Sequence, residues 1–139
     1  MTEKLLANVT CVSIEGRGLL IEGPPGSGKS SLALSLIDRG ATLVGDDGVV
    51  IEQRGDRLWI NPPPRITGKI EIRGVGVVEY PVASAPLSLV LTLADACPRV
   101  PETVMRTIAG QSLPSLPFLP GDPNQALRAQ WALSRFGLS

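Results

Sequence analysis

Eight consecutive residues, Gly23-Pro24-Pro25-Gly26-Ser27-Gly28-Lys29-Ser30, satisfy the pattern G-x-x-x-x-G-K-[S/T] at every fixed position. Phosphate oxygens need several donors converging on a small volume. Backbone N–H groups can converge there only where glycines let the chain curl without a Cβ in the way. Lys29 would bring a full charge to the β- and γ-phosphates, and the Ser30 hydroxyl can sit on a Mg²⁺ ion bridging them. A glycine turn that merely joins two elements has no need of Lys and Ser at those two places. The whole run from Gly23 to Ser30 is therefore a candidate nucleotide-binding loop.

Transfer of a phosphoryl group also requires a second metal contact and a group that accepts the proton of the attacking oxygen. Histidine is absent from the 139 residues. That excludes Ser-His-Asp and Cys-His nucleophile systems and zinc sites with His ligands, and it leaves carboxylates. Asp46 and Asp47 follow an apolar run shortly after the loop, whereas Asp95 closes the apolar run 89–94 in the manner of an ordinary Walker B strand end. Gly45-Asp46-Asp47-Gly48 is equally good turn chemistry, so spacing alone leaves both readings open. Glu71 and Arg73 alternate with Ile70 and Ile72, so in a strand they share a polar face.

The elements that must hold these residues follow from pattern. Residues 9–14 and 19–21 read as a hairpin about Glu15-Gly16-Arg17-Gly18. Leu32, Ala33, Leu36 and Ile37 have the spacing of one buried helix face over 30–38, which Gly40 terminates. A third strand over 42–44 ends at Gly45-Asp46-Asp47, and 49–51 pairs with 58–60 across Arg54-Gly55-Asp56. Residues 70–78 read as a strand with a bend, and 87–93 as a central strand covered on both faces. The run 113–123, with Pro114, Pro117, Pro120 and Pro123, reads as extended loop before an amphipathic helix over 124–136.

Composition agrees. The apolar fraction is 43%, charged residues are 19%, and thirteen basic side chains balance thirteen acidic ones. This is the balance of a packed α/β domain, a mixed sheet with few helices spanning 1–139, and it advertises neither nucleic acid nor membrane. No stretch approaches the roughly 18 apolar residues of a membrane helix, so a cytoplasmic location is expected. Cys11 and Cys97 read as buried thiols.

The segments Asn8-Val9-Thr10-Cys11-Val12, Gly23 to Ser30, Leu36 to Asp47 and Ile70-Glu71-Ile72-Arg73-Gly74-Val75-Gly76-Val77 resemble, in order and spacing, the catalytic domain of HPr kinase/phosphorylase. The last is close to that family's signature segment. The resemblance runs from about Asn8 to Asp122 and is to the short, kinase-domain-only form. It implies a fold similar to the HPr kinase/PEP carboxykinase-like one. It also implies ATP or another phosphate donor with Mg²⁺, and a serine of HPr or an HPr-like phosphocarrier as acceptor. Enzymes similar to it can also run in reverse as phosphorylases. By resemblance, Lys29 goes to the phosphates, Ser30 and Glu71 to Mg²⁺, and Asp47 to proton transfer beside Asp46; Arg73 and Arg99 are further candidates for phosphate or partner contacts, and a homo-oligomer is allowed for. The sequence departs from the family at Asn8, where a histidine is common, and at 117–122, which lacks the family's basic residues. Two alternatives stand beside this reading: a nucleotide-binding regulatory module with weak or lost transfer, and a generic small-molecule P-loop kinase using Asp95.

Overall fold

The computed structural model describes residues 3–65 and 67–139. The hairpin of β2 (Val9–Ile14) and β3 (Arg17–Glu22) turns at Glu15 and Gly16, with φ of 50° and 81°. Two positive φ values make the tight hairpin turn, and Gly16 takes the second without strain. From β3 the chain enters the glycine loop and then α1 (Lys29–Asp38), ending in Gly40 at φ 105°. The strand β4 (Thr42–Gly45) returns to the sheet, and β5 (Gly48–Arg54) pairs antiparallel with β6 (Arg57–Asn61) as expected. Ahead of them, β1 (Glu3–Ala7) lies along β5.

Residues 70–78 are two strands rather than one bent strand. β7 (Lys69–Ile72) and β8 (Gly76–Glu79) form a separate antiparallel pair, reversing through Arg73, Gly74 and Val75. Gly74 and Gly76, at φ 82° and 121°, supply the reversal that sequence reading treated as a bend.

β9 (Ala85–Leu93) is the central strand, with Leu87, Leu89, Val90 and Leu91 fully buried. β3 runs parallel along one edge, while β6 pairs with the start of β9 and β11 (Gln111–Phe118) with its end on the other. β10 (Val104–Ile108) pairs antiparallel with β11. Residues 113–118 are thus strand, not loop. Pro114 and Pro117 are three apart, so their nitrogens face opposite edges. The ladder to β9 begins only at Ser115, and that to β10 has ended there, so neither proline removes a ladder bond that the partner needs. α2 (Gln125–Phe136) closes the fold within a residue of expectation.

The register skips Ser88 between Gly18↔Leu87 and Leu19↔Leu89. This bulge turns Leu87 and Leu89 to opposite faces and so divides the interior. Leu89, Leu91, Leu19 and Ile21 pack under α1 and α2, while Leu87, Val90, Leu20 and Cys11 pack against the curled β5 and β6. Cys11 is buried as expected, but Cys97 is exposed in the segment after β9. No helix among the described residues is long and apolar enough to cross a membrane.

Candidate active site

β3 and β2 are antiparallel, as are β2 and β4, so β3 and β4 end at the same edge of the sheet. The glycine loop leaves the first and Asp46 the second, with Asn8 and Thr10 at the start of β2 between them. Asp46 Oδ1 there accepts hydrogen bonds from Ser30 Oγ at 2.7 Å and Thr10 Oγ1 at 2.9 Å. Asp95 lies exposed beyond β9 and makes no such bond, so the carboxylate that meets the loop serine is Asp46.

Strand geometry does not govern the pair of aspartates. Residues 46 and 47 form a bend in which Asp47 has φ 64° and is exposed. Its carbonyl accepts the Asn8 N–H at 3.2 Å, and Asn8 is itself left-handed at φ 63°. The bend demands Gly45, because a Cβ there would lie 2.3 Å from the Gly48 carbonyl oxygen.

Within the loop, Lys29 Nζ donates to the carbonyls of Gly23 at 2.7 Å and Pro24 at 3.1 Å. Gly26 and Gly28 have φ of 78° and 105°, conformations that turn backbone N–H groups inward and that side chains resist. Gly23 is needed for space, since a Cβ would approach Ser27 Oγ to 2.7 Å. That Ser27 hydroxyl is buried with no hydrogen-bond partner among the described residues. α1 carries no acidic side chain of its own in its first turn; the carboxylate at that end is Asp46, held on Ser30. An orphaned buried hydroxyl and a glycine nest at a helix start fit a phosphate group.

The oxygens of Ser30 and Asp46 fit Mg²⁺, a hard cation commonly held by one or two carboxylates and substrate phosphates. Among the described residues no cluster of three acidic or Cys side chains preassembles a metal site. Glu71 is exposed on β7, which packs on α1, and among the described residues its side chain makes no hydrogen bond or ion pair. Arg73, at the hairpin reversal, and Arg99, after β9, are likewise exposed and untied. The segment 119–122 does border the loop, since a Cβ on Gly28 would lie in contact with Pro120, at 3.7 Å. The basic group there is Arg128 of α2, paired with Asp122 and stacked on Phe118.

Sequence reading missed Thr10, which looked like an ordinary strand residue, and the group Glu22, Thr92 and Arg106. Thr92 Oγ1 donates to Glu22 Oε2 at 2.7 Å, and Arg106 forms an ion pair with the same oxygen. Only the register Glu22↔Thr92 and the placement of β10 bring these together.

Comparison with known proteins bears on the family and the fold. A family model described as the HPr Serine kinase C-terminal domain matches residues 1–83. An HPr kinase/phosphorylase of Exiguobacterium sp. is 48% identical over 69 residues, which are 49% of this chain and 22% of that protein. One from Shouchella clausii is 44% identical over 82 residues, 55% of this chain and 26% of the relative. The matched stretch is thus about a quarter of the length of these curated relatives. The structure of the Hpr(Ser) kinase/phosphatase from Coxiella burnetii superposes with a TM-score of 0.82 at 27% identity, covering 94% of each chain. The mixed sheet with two helices is therefore that protein's fold, and the chain belongs to the family of HPr serine kinase C-terminal domains.

Proposed function

We propose that the chain is an ATP-dependent protein serine kinase whose acceptor is HPr or an HPr-like phosphocarrier of a phosphotransferase system, working in the cytoplasm as one catalytic unit. The observation that carries this reading is the 2.7 Å bond between Ser30 of the loop and Asp46 of the bend, with Asp47 next in the chain and open to solvent. A protein acceptor must approach from outside, and Asp47 is the carboxylate that such a serine can meet.

In the proposed reaction the serine oxygen bonds to the terminal phosphorus as the bond to the nucleoside diphosphate breaks, and Asp47 takes the serine proton. Gly23 to Ser30 hold the phosphates, and Lys29 exchanges its carbonyl partners for their oxygens. Ser30 and Asp46 would hold Mg²⁺, with Glu71 as the further ligand that the family resemblance supplies. When bound there, Mg²⁺ would supply charge neutralisation for the phosphoryl oxygens. Asn8 cannot change charge, so the kinase direction is the better supported one and reverse phosphorylase activity stands second to it.

Transfer of labelled γ-phosphate from ATP to HPr, with Lys29→Ala as control, tests the proposal. Acid-stable label on a serine with the native chain, and none with Lys29→Ala, is expected. Undiminished transfer by Lys29→Ala would overturn it.

A further inference from the structure

A cavity of about 310 Å³ opens beside the loop, lined by Asn8, Glu22, Gly23, Thr92, Arg106 and Ile108 among others. Lys29 Nζ lies on the carbonyls of Gly23 and Pro24, and the lysine of such loops serves the β- and γ-phosphates. Gly23 is therefore at the terminal-phosphate end of the loop. From this, and resting on the kinase reading above, we infer that Arg106 is a fixed cation of the phosphoryl-transfer site and that Glu22 is its positioning residue.

Electrostatics and placement both support this. The Glu22 side chain is only 14% exposed and immediately precedes the loop, where an uncompensated carboxylate would repel the nucleotide. Arg106 compensates it while remaining 45% exposed along the cavity wall. A guanidinium has five donors in a planar fork, so one edge can stay on Glu22 while the rest meets phosphoryl oxygens. Three strands fix the group: Glu22 ends β3, Thr92 stands opposite it on β9, and Arg106 sits on β10. Arg106 stabilises charge on the transferred group and neither gives nor takes a proton.

The test is titration of the whole chain with Mg-ADP, with and without aluminium fluoride as a mimic of the phosphoryl group in flight, alongside thermal melting. Arg106→Ala should retain ADP affinity and melting temperature yet lose the gain from aluminium fluoride by about 10²–10³-fold. Arg106→Lys should recover part of the gain. Glu22→Gln should lose about tenfold of it with ADP affinity undiminished, and as an isosteric change it carries the comparison should Arg106→Ala melt early. An unchanged gain in Arg106→Ala, an equal loss of ADP and mimic, or no gain in the native chain would overturn the inference alone. Absence of nucleotide binding by the native chain would overturn the kinase reading with it.

Discussion

Asp46 gives one oxygen to two hydroxyls, while its neighbour turns away through a left-handed backbone. Their replacements should therefore differ in kind. Asp47→Asn should keep Mg-ATP affinity within about threefold and lose about 10²–10⁴ in transfer rate, the usual cost of a missing general base. Asp46→Asn should weaken Mg-dependent binding as well as turnover, because it removes the charge beside Ser30. Calorimetric binding and single-turnover transfer, measured on the same samples, check both; equal behaviour of the two variants would contradict the division. The loop was legible because its chemistry uses consecutive residues. The different surroundings of 46 and 47 were not legible from pattern, because a bend has no periodicity that says which carboxylate meets Ser30. Apolar neighbours in sequence also misled about Cys97, whose exposure depends on where the segment after β9 lies. Burial pushes the Cys11 thiol well up, out of the reactive range. A thiol reagent at pH 8 should label one cysteine in the native protein and two after denaturation. Because the folded value is raised, the contribution of Cys11 to stability is fully present below about pH 9 and declines above it, as the unfolded thiol ionises first. Melting curves of Cys11→Ala should be flatter than those of the native chain over that alkaline range.

Among the elements, those with strong periodicity or a turn signal were readable: the hairpin β2–β3, both helices, the pair β5–β6 and the apolar β9. Those that depend on neighbours were not. β1 and β10 expose most of their residues and show no buried alternation, and β11 hides its strand character behind prolines that its ladders happen to tolerate. The missed β10 is what supplies Arg106, so an error about an element concealed the residue proposed above as the fixed cation. Element packing also fixes how tightly the bend is held. Gly45→Ala would force a Cβ against the Gly48 carbonyl and against Pro63 and Val49. A loss of about 1–3 kcal/mol is expected, the usual cost of overpacking, read from the urea midpoint with unchanged slope. An unaltered midpoint would show that the bend relaxes freely.

For the whole molecule, the sheet order explains why a site can form from residues so far apart in sequence. Two antiparallel steps bring the ends of β3 and β4 to one edge, and the parallel β9 and β11 end there too. The loop, the carboxylate bend, Arg106 and the segment around Pro120 all gather at that edge. The family resemblance anticipated this fold, although pairings such as β11 with β9 lie beyond any periodicity. The proposed activity is transfer to a serine of a phosphocarrier protein. Its most direct test incubates the native chain with ATP, Mg²⁺ and a panel of HPr and HPr-like phosphocarriers, followed by mass mapping of the products. Phosphate on one serine of a phosphocarrier, absent when Asp47→Asn replaces the native chain, is the predicted result. Nucleotide binding with no phosphoserine on any member of the panel would contradict the account.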